Sequence, residues 1–390
     1  MTALKNTQED NSQFQPVNAI SISIAHLLHD IYSSFLAPIL PLLIEKLSIS
    51  YSMAGFLTVV QRLPSLTNPI IGLIADKVSV RYFIIIAPSI TAVAMSLLGL
   101  APNYLVLVLL LFIMGISATL FHVPAPVMMR RVSGNRVGMG MSFFMFSGEA
   151  ARSIGPLVIL GAVSLWGLEG TYRLIPFGFV CSIFLYFRIR NIKISDDFKR
   201  SDSSDKISNS LKIALPIFKI LAGYTLFQSL MRGALTIFLP VYLSDQGFSL
   251  WLAGAALSVV QLSGAVGTIL SGTISDKIGR KTTLMITAIV SPVLMWLFLI
   301  VEGVLLFPLL ILVGFFLLAP SPVMLASVNE LKSEHPAFIN GIYMMINFII
   351  NSGAIMLIGI LGDKIGLLFA YQIAAVVAAF AIPITFFMKR

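Results

Sequence analysis

Gly272-Thr273-Ile274-Ser275-Asp276-Lys277-Ile278-Gly279-Arg280-Lys281 closes one long apolar run, and Gly72-Leu73-Ile74-Ala75-Asp76-Lys77, followed by Arg81, closes another about 200 residues earlier. Upstream of each, in the same register, Val259-Val260-Gln261 answers Val59-Val60-Gln61. Pro124-Ala125-Pro126-Val127-Met128 returns as Pro320-Ser321-Pro322-Val323-Met324, and Ile39-Leu40-Pro41 as Phe238-Leu239-Pro240. Matches that recur in the same order mark a duplicated unit, which shared hydrophobicity alone does not produce. The chain therefore reads as two parallel repeats.

The segments between these markers are apolar. Of 390 residues, 57% are hydrophobic and only 11% charged, and the mean hydropathy is +0.95. Such a chain exposes too much apolar surface for water, so lipid is its main solvent. With ~20 residues needed to cross the hydrocarbon core, spans are expected near 18–43, 52–75, 82–101, 104–127, 138–163 and 171–188, then near 214–243, 250–274, 283–301, 304–327, 338–361 and 366–388. The expected fold class is an all-α membrane protein whose twelve transmembrane helices form two pseudo-symmetric six-helix bundles, 1–187 and 214–390. The polar stretch 188–213 is the expected cytoplasmic linker, leaving the bundles free to move against each other. Met1 to Gln15 is polar and carries Glu9 and Asp10, unlike a cleaved signal peptide, so the first span is expected to be retained.

A net charge of +9 raises nucleic acid as a partner, but the basic residues lie in short loops. One face holds Lys5, Lys77, Arg81, Arg130, Arg131, Arg136, the basic linker, Lys277, Arg280, Lys281, Lys332, Lys389 and Arg390; the other holds only Lys46, Arg173 and Lys364. By this asymmetry both termini are expected in the cytoplasm, with the chain in an inner membrane. Cys181 is the single cysteine, so no disulfide or thiolate metal site is available and core packing is its expected role.

The two loops closely resemble the cytoplasmic signature of the major facilitator superfamily; the first copy has Ser79 where the pattern expects glycine. Further motifs resemble the fosmidomycin-resistance branch of bacterial efflux carriers: His26-Leu27-Leu28-His29-Asp30, Phe121-His122-Val123-Pro124, and Ser147-Gly148 followed by Gly155-Pro156. The spacing from Gly148 to Gly155-Pro156 also resembles a fifth-helix motif of proton-coupled antiporters. The resemblance implies transport by alternating access, with Gly72, Asp76, Arg81 and Gly272, Asp276, Arg280 as a conformational latch. A glycine four residues before the aspartate shares its helix face and admits a neighbouring helix, whose positive N-terminus can meet the carboxylate. By analogy, Asp76 would meet the eleventh helix near Asn340 and Gly341, and Asp276 the fifth near Gly138, holding the outward-open state.

Charges inside the membrane are the candidate site, because each is costly there. They are Asp30 with His26 and His29 in the first helix, Arg62 beside Gln61 in the second, His122 ending the fourth, Glu149 and Arg152 in the fifth, and Arg232 in the seventh, with Gln261 as the repeat counterpart of Gln61. Asp30 or Glu149 is expected to carry a coupling proton, with Arg62 and Arg152 setting its affinity; permanent Asp30–Arg62 and Glu149–Arg152 ion pairs are the structural alternative. The histidines can contact solute, exchange protons or bond neighbouring helices. No dense set of ligands accompanies them, so no metal is expected. The arginines outnumber the carboxylates, which suits an anionic or zwitterionic solute. A phosphonate-like substrate is what the resemblance implies, and a hydrophobic drug in a Phe- and Met-lined cavity remains open.

No nucleophile with an acid–base set and no phosphate-binding loop is present, so neither an enzyme nor an ATP-driven pump is expected. A passive channel has no use for duplicated latches. Proton-coupled export leads, with proton- or sodium-coupled uptake of an anionic metabolite as the alternative. No cofactor and no nucleic acid are expected; the partners are a small solute, a proton and lipid, and the chain is expected to act as a monomer. Gly115, Gly161, Gly264, Gly267 and Gly353 are expected to let helices pack closely, and Pro38, Pro64, Pro69, Pro88, Pro126 and Pro322 to bend them.

Overall fold

A computed structural model describes residues 13–68, 81–192, 207–301, 303–331 and 336–388, and among them there is helix and no strand. The helices are α1 (Pro16–Ser33), α2 (Leu36–Leu47), α3 (Tyr51–Arg62), α4 (Arg81–Ser96), α5 (Tyr104–His122), α6 (Pro124–Val132), α7 (Val137–Trp166) and α8 (Ile175–Ile189). They continue as α9 (Ile207–Gly233), α10 (Leu239–Asp245), α11 (Leu250–Ile278), α12 (Arg280–Ile300), α13 (Leu306–Leu318), α14 (Pro320–Asn329), α15 (Pro336–Ile365), α16 (Leu367–Ala379) and α17 (Ala381–Phe386). Eleven helical stretches among the described residues are long and apolar enough to cross a membrane. The other expected span begins as α3 and a 3₁₀ turn, Leu63–Thr67, and its remainder, 69–80, lies outside the described residues. Helix already covers 207–213 of the expected linker, and 193–206 also lie outside the described residues.

Prolines break the first, fourth, seventh and tenth spans in the middle. Pro38 has no N–H for the Ser34 carbonyl, and α1 gives way to α2 there. Pro126 offers none to His122, so the chain steps from α5 to α6 at that histidine. Pro320 offers none to Phe316, whose carbonyl instead accepts from Ser291 Oγ at 3.3 Å. In the seventh span a five-residue π turn, Ala234–Phe238, separates α9 from α10 just before Pro240.

The duplication is visible in packing. A Cβ at Gly115 would fall on the Gln61 carbonyl, and one at Gly314, in the other half, on the Val260 carbonyl. Gly264 and Gly267 pack as tightly, against Leu318 and Phe315, whereas Gly161 and Gly353 have nothing within 4 Å and do not serve close packing here. Cys181 is buried in the core of the first half, as expected.

Three apolar cores show how the halves meet. The largest draws on both, with Ile39, Leu43 and Leu160 beside Leu239, Ala253 and Ile358. The other two stay within one half each: Ile22, Phe121, Met128 and Phe144 in the first, Phe218, Tyr224, Leu284 and Ile339 in the second. The shared core lies toward the end opposite the termini, where the halves are also joined by polar contacts. Trp251 Nε1 donates to Ser164 Oγ at 2.8 Å, and Tyr51 Oη to Asp245 Oδ2 at 2.8 Å. At the terminal end no such contact joins the halves among the described residues, and a Cβ at Gly138 would meet nothing within 4 Å. Phe177, Val180, Ile183 and Phe187 of α8 point outward, an apolar stripe suited to acyl chains.

Candidate functional site

Asp30 sits on α1, 2% exposed, and is surrounded by histidines. His26 Nε2 lies 3.4 Å from Oδ2, His29 Nδ1 3.1 Å from Oδ1, and His122 Nε2 3.2 Å from Oδ1. His26 is held in turn by the Phe144 carbonyl, 2.8 Å from Nδ1, and its ring stacks on Phe144 with centroids 3.9 Å apart. His29 stacks on Phe121 at 4.6 Å and is fully buried. The break between α5 and α6 presents His122 to this cluster, and its side chain, 39% exposed, is the histidine that opens on the central cavity. The expectation of no dense cluster is corrected: groups of His26, Asp30 and His122, from two separated segments, come within 4.8 Å of one another.

The fifth-helix motif has a local reason. A Cβ at Gly148 would stand 2.6 Å from His26 Cε1, so only glycine leaves room for that ring. Ser147 Oγ lies 3.3 Å from His26 Nδ1, and a Cβ at Gly155 would meet the Ser34 side chain at the break in the first span.

Of the two expected ion pairs one forms. Arg152 Nη1 lies 2.8 Å from Glu149 Oε1, three residues away on α7. Asp30 and Arg62 do not pair: the histidines occupy the carboxylate, and the nearest guanidinium is Arg152, whose Nη2 is 4.0 Å away. Arg62 faces the cavity, and Gln61 is turned to structure, donating to the Ser33 carbonyl at 2.9 Å. Arg232 donates to Ser321 Oγ at 3.0 Å. Among the described residues neither Arg62 nor Arg232 has a carboxylate partner.

The three arginines line one central cavity with two lobes, which share Arg62, Arg152, Thr236, Gln261 and Phe348; Asp30, Glu149, His26 and His29 are set behind its wall. The lobe toward the first half, about 320 Å³, reaches His122, Gln61 and Ser33. The lobe toward the second half, about 580 Å³, reaches Arg232, Ser321, Tyr343, Asn347 and Asn351. The last four were not singled out by sequence. Tyr343, Asn347 and Asn351 recur every four residues within an apolar stretch of α15, a signal that marks a polar stripe on one face.

The expected latch is only partly placed. Gly72 and Asp76 lie outside the described residues, and Arg81 Nη1 reaches the Ile192 carbonyl at 3.5 Å. A Cβ at Gly272 would meet only Pro322, at 4.0 Å. Asp276 does not meet the start of α7. It pairs with Arg280 at 2.7 Å, which also holds Glu330 at 2.9 Å. The physical reason is local: Arg280, one helical turn on, holds the carboxylate, and the start of α7 near Gly138 has no close neighbour among the described residues.

Two helical halves joined at one end around a central cavity lined by charged side chains define a membrane carrier. The family model of the Major Facilitator Superfamily matches residues 22–354, and the chain belongs to that superfamily of multi-pass transporters. It is 25% identical over 382 residues to the Fosmidomycin resistance protein of Escherichia coli (strain K12), covering 96% of this chain and 92% of that one. It is 22% identical to the uncharacterized MFS-type transporter YfnC of Bacillus subtilis (strain 168), over 93% of this chain and 90% of that one. Among solved structures, its fold is similar to an inward-facing bacterial homologue of the human lysosomal transporter Spinster, with a TM-score of 0.76, 15% identity and 95% of each chain covered. It is also similar to a D-xylose–proton symporter, with a TM-score of 0.72, 15% identity, and 94% of this chain and 96% of that one covered.

Proposed function

We propose that this transporter is a proton-coupled exporter of a small anionic or zwitterionic solute, set in a bacterial inner membrane with both termini in the cytoplasm. The cavity then opens to the cytoplasm in the arrangement described, ready to load. The observation that carries the reading is that the buried Asp30 carboxylate meets the cavity through His122. A solute whose anionic end lies on the guanidinium groups can set its other end against His122. A hydrogen-bond donor there and a proton on the Asp30–His122 pair exclude each other, and an exchanger needs that competition. Likeness to the fosmidomycin resistance protein supports export and a phosphonate-bearing solute.

Arg152 supports a second reading. It reaches both Glu149 and Asp30, so a proton on either carboxylate frees it for an anion. Proton and solute then favour each other, as in coupled uptake. Flux separates the two. In vesicles whose lumen matches the cell exterior, an acid lumen should drive fosmidomycin inward if the protein is an exporter. Movement in the opposite sense, or none that depends on pH, rejects export.

A further inference from the structure

We propose that the second-half lobe is a subsite for a doubly charged oxyanion group, built by Arg232, Ser321, Tyr343 and Asn351. This rests on the carrier reading and names the chemistry of one end of its solute.

Charge is the first reason. Arg62, Arg152 and Arg232 all line this lobe, and among the described residues no Asp or Glu does. Glu149 pairs with Arg152 and Asp30 lies 4.0 Å from it, held by its histidines, so Arg62 and Arg232 are the two guanidinium groups that face the space without a carboxylate. A dianion neutralises both, whereas a monoanion leaves one guanidinium without a counter-charge.

The second reason is the way the donors are held. Arg232 stands one residue before Gly233 and the π turn, and such turns gather at functional sites. Its side chain is aimed by Ser321, from the break between α13 and α14. Across the lobe, Asn351 Nδ2 donates to the Asn347 carbonyl at 2.8 Å. One amide hydrogen fills that bond, and the amide carries a second. Asn347 is held on both sides, accepting from Thr225 Oγ1 at 3.1 Å and donating to the Tyr343 carbonyl at 3.0 Å. A polar stripe inside a membrane helix is costly unless it meets water or a ligand. Guanidinium, hydroxyl and amide donors converging from three segments suit the several oxygens of a phosphate or phosphonate.

The test compares two probes of nearly the same shape: phenylphosphonate, mostly a dianion at pH 8, and benzenesulfonate, a monoanion. Binding to the purified full chain in detergent is measured by calorimetry, without a gradient, so the outcome is independent of transport direction. The expected result is at least tenfold tighter binding of phenylphosphonate. Arg232→Gln should remove that preference, and Ser321→Ala, Tyr343→Phe and Asn351→Leu should each reduce it severalfold. Size-exclusion profiles and melting temperatures identify variants that retain the fold, and the three milder substitutions serve if Arg232→Gln does not. Equal affinity of the two probes, or no binding of either, overturns the proposal. So does a preference that survives all the folded variants. If pH-driven export fails while the preference holds, the reading of function falls and the subsite stands.

Discussion

The carboxylate of Asp363, at the end of α15, caps the N-terminus of α3 in the other half: Oδ1 accepts from the Tyr51 N–H at 2.7 Å and Oδ2 from the Ser52 N–H at 3.0 Å. A negative group on the positive end of a helix is a favourable contact, and here it spans the two halves at the closed end. Asp363→Ala removes it at a cost of about 1 kcal/mol, a roughly fivefold shift toward opening of that end. Spin-label distances between α3 and α15 should lengthen in a larger fraction of molecules.

Asp30→Asn keeps the size of the side chain and removes its charge among three histidines. Flux in the variant should lose its response to an imposed pH gradient, while solute exchange without a gradient continues. His122→Gln should slow the pH-driven step, because it removes the titratable group between Asp30 and the cavity. A pH response that persists in Asp30→Asn places the coupling proton elsewhere.

The arginines should separate by stability. Arg152→Gln strands Glu149 and should lower the unfolding free energy by about 1 kcal/mol, since the pair is part-exposed, with Glu149→Gln restoring most of it in the double variant. Arg62→Gln strands no carboxylate and should change stability by less than about 0.5 kcal/mol, yet weaken solute binding about tenfold. Melting temperature and binding, measured on the same preparations, check both.

Gly148→Ala should be tolerated by α7, since alanine favours helix, but its Cβ falls on the His26 ring. Transport should drop more than tenfold with helix content unchanged, as read by circular dichroism.

The latch makes a crosslinking prediction. Gly138→Cys with Asp276→Cys should not form a disulfide in the arrangement described, because a Cβ at Gly138 would meet nothing within 4 Å. It should form one when the cavity is opened at the other end, and Asp363→Ala should raise its yield. Cys181 is buried and does not compete.

The repeat at an offset of about 200 residues, with apolar runs and asymmetric loop charges, was enough to read the helical membrane body and its superfamily. Each of those signals depends on residues near in sequence, or on a motif copied whole. Glu149–Arg152 was legible for the same reason, since three residues on a helix bring side chains together. His26 beside Asp30, four residues along the same helix, was legible likewise, but the meeting of Asp30 with His122 was not. Equal charge logic favoured Arg62, and only the stacking of His26 and His29 on Phe144 and Phe121, with the proline break that turns His122 inward, decided for histidine. Likewise, Asp276 is poised by sequence for a latch, but whether it closes depends on which ends of the two halves touch. That choice belongs to contacts such as Asp363 with Tyr51, more than 300 residues apart, which no local pattern encodes.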